Sequence, residues 1–151
     1  MAGHRPLERP AGLDELGLTA ALEGYVARLC EEAPAAPQVE LALDPAGVDL
    51  PEPIAICLFR TAQEALRNAL KHARPEHIQI SLQLSDEAVV LTVRDDGCGF
   101  LVPAQPGEFT QADHFGLVSM AERVAWTGGQ LTIHSEPGAG TQIMARVPLK
   151  G

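Results

Sequence analysis

Asparagine occurs once in this sequence, at position 68, and lysine twice, at Lys71 and Lys150. Aromatic residues make up only 4%, with a single Trp and a single Tyr, so any core must be aliphatic and alanine-rich. Basic residues number 11 against 20 acidic ones, a formal net charge of -9. That balance excludes a nucleic-acid-binding or anionic-membrane surface, since both need a dense cationic patch. It also means that a polyanionic ligand would be held by backbone amides, a metal ion and a few local cations. The three cysteines, Cys30, Cys57 and Cys98, form no C-x-x-C pair and are expected as reduced thiols rather than a disulfide or zinc site. No apolar stretch nears the roughly 20 residues of a membrane span. The opening Met1-Ala2-Gly3-His4-Arg5-Pro6 has no signal-peptide character. The expected setting is cytoplasmic, without direct membrane contact, whatever anchors a parent protein.

With 46% hydrophobic and 21% charged residues, the composition is that of a globular chain, and 151 residues suffice for one domain with its own core. Residues 1–12, rich in Pro and Gly, read as a linker or chain end, and 13–151 as the domain. Apolar residues at 18, 21, 22, 25, 26 and 29 predict a helix over 13–32, stopped by the prolines of 33–37. Val39, Leu41 and Leu43 alternate as a short strand ending at Asp44-Pro45. The longest helix is predicted over 51–73. Its buried face carries Ile54, Leu58, Ala62, Ala65, Leu66, Ala69 and Leu70, and Ala73-Arg74-Pro75 ends it. Ile78, Ile80, Leu82 and Leu84, then Val89, Leu91 and Val93, give a hairpin about Ser85-Asp86-Glu87. Residues 100–115 lack periodicity and read as loop. A third helix carries Leu117, Met120, Ala121 and Val124 and closes at Gly128-Gly129. A last hairpin pairs Leu131 and Ile133 with Ile143, Ala145 and Val147. This order of elements predicts an α+β fold, an antiparallel or mixed sheet with about three helices on one face.

Two segments carry candidate chemistry. Glu64, Asn68 and Lys71 stand at i, i+4 and i+7, so a helix aligns them along one edge. Asn68 offers a neutral hard oxygen of the kind magnesium accepts beside phosphate oxygens and water, and Lys71 a cation one turn further on. The same residues also make an ordinary exposed polar edge. The hairpin exits through Asp95-Asp96-Gly97-Cys98-Gly99-Phe100. A carboxylate only accepts hydrogen bonds, so a buried Asp95 suits adenine's amino group and not guanine's carbonyl. Gly97 and Gly99 let backbone come close to a ligand. A plain Asp-Gly turn is the competing reading. Gly116 opens the third helix, whose unpaired amides favour phosphate. Thr141 follows Gly138-Ala139-Gly140, a spacing that fits a hydroxyl near a base or a mere turn. Cys98 reads as a small space-filling residue. Phosphate-loop, H-E-x-x-H and G-x-S-x-G patterns are absent. Together the two segments point to a magnesium-bound adenine nucleotide.

The ordered set is more specific than its parts. Glu64-x-x-x-Asn68-Ala69-x-Lys71-His72, Asp95-x-Gly97-x-Gly99, Gly116-Leu117-x-x-Met120 and Gly138-x-Gly140-Thr141 together resemble the ATP-binding domain of sensor histidine kinases. That is the Bergerat-type fold shared with gyrase, Hsp90-type chaperones and mismatch-repair ATPases. Leu13-Asp14-Glu15-Leu16-Gly17-Leu18 and Asp113-His114-Phe115-Gly116-Leu117 look like the nitrate/nitrite-sensor-like branch. The resemblance spans residues 13–149 and implies a two-layer α/β sandwich, ATP between the helices and a mobile lid over 100–115. It implies Asn68 as the magnesium ligand, Lys71 at the phosphates and Asp95 as the adenine selector, with Gly97 and Gly99 shaping the pocket. His72, His114, Gly116, Leu117 and Thr141 complete the implied nucleotide-binding set. Glu64 takes the position where hydrolysing relatives keep a general base; here the resemblance implies that it positions magnesium or a water.

Two departures qualify this. The implied lid has no Lys or Arg, leaving His114 as its one candidate cation. Such kinases also carry a phosphoacceptor His followed by Asp or Glu, whereas His4, His72, His77, His114 and His134 precede Arg, Ala, Ile, Phe and Ser. The implied function is transfer of the γ-phosphoryl group of Mg-ATP to a histidine on a separate helical dimerisation domain, and indirectly to a response regulator. The isolated domain is expected to be a monomer. The alternatives are a stand-alone anti-sigma-type serine kinase and a nucleotide-gated binding module without transfer activity.

Overall fold

A computed structural model of the chain describes residues 13–32, 37–44, 50–100 and 116–149, with side chains in the first helix from residue 17 onward. Helix α1 (Leu13–Glu32) consists of two helical pieces joined at Gly17, whose φ of 81° lies outside helical space. Its longer piece buries Leu18, Ala21, Leu22 and Val26, a three-and-four spacing that makes one apolar stripe. Strand β1 (Gln38–Leu43) turns Val39, Leu41 and Leu43 toward the core.

Helix α2 (Glu52–Asn68) buries Leu58, Ala62, Ala65 and Leu66 on the face the sequence predicts. It does not end as an α-helix. A π-helical turn, Ala69–Ala73, extends it, and Arg74 in the left-handed region (φ 48°) stops it ahead of Pro75. Strands β2 (His77–Leu84) and β3 (Ala88–Asp95) form the predicted hairpin. The hydroxyl of Ser85 accepts from the Ala88 amide at 3.2 Å to close its turn. Helix α3 (Leu117–Trp126) and strands β4 (Gln130–Ser135) and β5 (Thr141–Pro148) follow as expected.

The five strands run in the order β1-β2-β3-β5-β4. β1 and β2 are parallel, because α2 carries the chain back across the sheet between them, and every other pairing is antiparallel. The sheet is therefore mixed, and the helices cover one face, as the order of elements predicts. Strand alternation places Ile80, Val93 and Ile143 in one cross-strand row and Leu82, Leu91 and Ala145 in the next, all of them buried beneath the helices. Leu22, Leu66, Met120 and Val124 come down on these rows from the helices, each with no exposed surface. Burying a side chain of this size contributes roughly 1.5–3 kcal/mol, so an aliphatic core of this extent compensates for the shortage of aromatics. The aromatic contribution is an edge-to-face contact of Phe59 with Tyr25, centroids 5.8 Å apart. Among the described residues no helix is long and apolar enough to cross a membrane.

Candidate functional site

The period of two along β3 puts Val89, Leu91, Val93 and Asp95 on the same side of the sheet. The first three are core residues. Asp95 closes the row as a carboxylate, 9% exposed, with Ile78 and Thr141 as its cross-strand partners. Its Oδ1 accepts from the Gly97 amide at 2.8 Å, and the Thr141 backbone amide also favours the charged carboxylate. Burial pushes the Asp95 pKa up, and those two amides only partly oppose it. A carboxylate has about four acceptor positions, so capacity remains for a ligand donor.

The chain around Asp95 is held by close backbone contact. A Cβ on Gly97 would overlap the carbonyl oxygen of Ala73. Its absence lets the Cys98 amide donate to that carbonyl at 2.8 Å, satisfying the end of the π turn. Gly140, at φ 82°, brings the Gly138–Gly140 turn so near that a Cβ there would overlap the Asp95 carbonyl. The Gly138 amide donates to Cys98 O at 2.6 Å, stacking the two glycine turns.

Above Asp95 lies a cavity of about 420 Å³ between the end of α2, the β3 exit and the start of α3. Asn68 and His72 line its α2 side, Leu117 its α3 side, and Gly99 and Thr141 its sheet side. Ala65 and Ile143 add apolar wall. A cleft of this volume with apolar walls and one buried charged acceptor is the form small-molecule sites take.

A family model described as "Histidine kinase-, DNA gyrase B-, and HSP90-like ATPase" matches residues 55–151, which include Asn68, Asp95 and Thr141. The chain belongs to this ATPase family. It is 36% identical over 143 residues to an uncharacterized sensor-like histidine kinase of Chloroflexus aurantiacus, covering 94% of this chain and 24% of that protein. It is 36% identical to the signal transduction histidine-protein kinase/phosphatase DegS of Bacillus subtilis, covering 93% of this chain and 36% of DegS. The nitrate/nitrite sensor protein NarX of Escherichia coli is 33% identical over 135 residues, covering 87% of this chain and 21% of NarX, in line with the branch that the motifs resemble. The chain thus spans about a fifth to a third of the length of these relatives. Among solved structures it is similar to the histidine kinase domain of a blue-light activated histidine kinase from Erythrobacter litoralis. That match has a TM-score of 0.70 and 25% identity, covering 98% of this chain and 66% of that one. The relatives and the fold together identify a histidine-kinase-type ATPase domain.

Within this ATPase domain the structure gathers most, and not all, of the residues the motifs single out. Asn68, His72, Asp95, Gly99, Leu117 and Thr141 line one cavity. Gly97 lies beneath it. Lys71 is exposed and is not among the lining residues. The lining positions 65, 68, 69, 72 and 73 keep a three-and-four spacing, and Lys71 falls beside that stripe. Glu64 also lies off the cavity, 3.7 Å from Arg67. Its carboxylate rests against Gly116, where a Cβ would come within 2.8 Å of Glu64 Oε2. Gly116 (φ 92°) thereby admits a carboxylate to the start of α3, where the helix dipole favours it. His114 and the rest of the implied lid beyond Phe100 lie outside the described residues.

Other features were not anticipated. Cys98 is not a space filler: it is exposed at the cavity, its thiol 3.3 Å from His72 O. Asp96 clamps the β3 exit, with Oδ1 accepting from the Glu76 and His77 amides at 2.8 and 3.0 Å. Its Oδ2 lies 2.8 Å from His77 Nδ1. The His77 amide and imidazole pull the Asp96 carboxyl down to about 2, and the same contact raises His77. Ser135 joins the two glycine turns through its hydroxyl. The only sequence signal for either feature is the polar residue itself, since the Asp96 bonds and the Phe100–Ser135 bond connect segments 19 or more residues apart.

Proposed function

We propose that this domain binds Mg-ATP in the cavity above Asp95 and delivers the γ-phosphoryl group to a histidine on a separate helical domain, as part of a two-component system. The observation that carries the reading is the buried Asp95 carboxylate at the floor of the cavity, an acceptor suited to the amino group of adenine. Asn68 fits a magnesium site. Its side chain lines the cavity, and among the described residues no protein partner occupies its amide oxygen. One neutral oxygen is a normal protein contribution to a magnesium sphere completed by phosphate and water. Magnesium would supply charge neutralisation at the transferring phosphoryl group. Lys71, exposed one turn beyond Asn68, and the amides at the start of α3, which borders the cavity at Leu117, are the groups assigned to the phosphates in this reading. Such transfer asks the protein mainly for positioning and electrostatics. The histidine-kinase names of the relatives favour histidine over serine as the acceptor.

Calorimetric titration with Mg-ATP tests the site on the wild type, Asp95→Ala and Asn68→Ala. Asp95→Ala is expected to abolish binding, and Asn68→Ala to remove mainly its dependence on magnesium. Equal binding by all three would refute the site. Phosphorylation of an added histidine-bearing two-helix domain, and of no serine, is the expected transfer result. Labelling of a partner's serine, or tight binding with no transfer to any partner, would overturn it.

A further inference from the structure

Ser135, the last residue of β4, makes three contacts with a single hydroxyl. The Phe100 amide lies 2.8 Å from its Oγ, the Gly140 carbonyl 3.0 Å and the Thr141 hydroxyl 2.8 Å. A serine hydroxyl has one hydrogen and two lone pairs. The amide can only donate and the carbonyl can only accept. All three contacts are attractive in one arrangement alone: Ser135 accepts from Phe100, gives its hydrogen to Gly140 O, and must therefore accept from Thr141. The hydrogen of Thr141 Oγ1 is thus committed to Ser135 and turned away from the cavity that Thr141 lines.

We infer that Ser135 is a positioning residue for base selection: it locks the Thr141 hydroxyl so that the cavity floor presents hydrogen-bond acceptors only. The inference rests on the reading that adenine lies on Asp95, and it adds a second reader of the same edge. With the hydrogen of the Thr141 hydroxyl spent, Asp95 and Thr141 each offer lone pairs. The site then accepts a base carrying an exocyclic amino group at that edge. It rejects one with a carbonyl in its place, because lone pairs would face lone pairs in a buried site. Inosine triphosphate is the matched probe, since it carries a carbonyl in place of the amino group, with a hydrogen moved onto N1 and the rest of the molecule unchanged.

The test is competition binding of Mg-ATP and Mg-inosine triphosphate to the 151-residue chain. In Ser135→Ala the Thr141 hydroxyl is free to rotate and donate to a carbonyl. The preference for ATP over inosine triphosphate is expected to fall about tenfold, the scale of one hydrogen bond gained and one lost. Ser135→Thr keeps the hydroxyl and is expected to keep the preference. Thr141→Val removes the locked acceptor at nearly constant shape and is expected to narrow the preference by itself, whether or not Ser135→Ala folds well. In the Thr141→Val background, adding Ser135→Ala is expected to change the preference no further. Equal weakening of both nucleotides by Ser135→Ala would reduce Ser135 to a structural tie and overturn the inference. So would an unchanged preference in Thr141→Val, or a wild type that binds both nucleotides alike. A separate failure is recognisable: if Asp95→Asn leaves ATP binding intact, the base does not lie on Asp95, and both readings fall together.

Discussion

Asp95 and Asp96 are adjacent, chemically identical, and opposite in almost every physical respect. The strand period turns one into the core side of the sheet and the other out of it. Asp95 is 9% exposed, with its pKa raised by burial; Asp96 is exposed, with its pKa lowered to about 2 by the His77 amide and ring. A native charge whose pKa is raised costs stability when ionised, whereas one whose pKa is lowered contributes to it. Asp96 thus behaves as a structural clamp between β3 and the connection after the π turn. Asp95 is a residue the fold tolerates rather than requires, which is the pattern expected of a carboxylate kept for a ligand.

The sharpest break of this comparison is to neutralise each in turn. Asp95→Asn keeps an oxygen for the Gly97 amide and presents an NH₂ group to the adenine amino group, donor against donor. Affinity for Mg-ATP is expected to fall about 100-fold, the worth of a charge-assisted bond of roughly 1.5–3 kcal/mol. Its thermal midpoint at neutral pH is expected to hold or rise, because the buried charge is gone. Asp96→Asn is expected to do the reverse, with a lower midpoint and affinity within about twofold of wild type, as for surface substitutions remote from a site. Calorimetry and thermal melts on the pair decide it. Matching losses in both properties for both variants would erase the distinction.

A second contrast concerns what holds the two backbones. The carbonyl of Asp95 is packed against Gly140, where a side chain would need both a left-handed φ of 82° and space that is already filled. Gly140→Ala is expected to cost roughly 2–4 kcal/mol, combining left-handed strain with overpacking. Chemical denaturation reads this directly. A loss below about 1 kcal/mol would mean that the two turns separate easily and that Asp95 is not held by them.

How much of this was legible in the sequence follows from how local each feature is. The rows Ile78-Ile80-Leu82 and Val89-Leu91-Val93 announce themselves by alternation, and continuing the second row by two residues places Asp95 inward. The face of α2 was likewise readable from Leu58, Ala62, Ala65 and Leu66. The π turn was not. Ala69–Ala73 has good α-helix formers, and its widened turn goes with tertiary contact, the Cys98 amide reaching Ala73 O past Gly97. Asn68 faces the cavity as part of the three-and-four stripe Ala65, Asn68, Ala69, His72 and Ala73, and Lys71 falls beside that stripe. The parallel pairing of β1 with β2 and the Ser135 junction also depend on segments distant in sequence, and no local pattern encodes them.

Acidification separates the two aspartates next. Adenine needs Asp95 ionised, so Mg-ATP affinity is expected to rise with pH through its raised pKa, above the ordinary carboxylate value of 3.8. The contribution of Asp95 to stability runs the other way, present in acid and lost as pH rises through the same point. For Asp96 the folded pKa lies below 3.8, so its contribution is present above 3.8 and is lost as pH falls toward about 2. Titrations of affinity and of unfolding free energy between pH 3 and 7 should therefore slope in opposite senses at Asp95. Substituting it with Asn should flatten both. Persistence of the slopes in Asp95→Asn would assign them to another group.

The smallest expected effect is at His77, the partner that gives Asp96 its low pKa. The pair is exposed, 65% at His77 and 46% at Asp96, so solvent and salt screen it. His77 has its pKa raised above 6.5, and its contribution is therefore present below 6.5 and lost as pH rises through the raised value. His77→Gln is expected to lower the thermal midpoint slightly at pH 6, less than Asp96→Asn does, because the Glu76 and His77 amides still bind Asp96. At pH 8 or in high salt the difference from wild type should vanish. If it persists there undiminished, the imidazole acts by packing rather than by charge, and Asp96 owes its low pKa to the backbone amides alone.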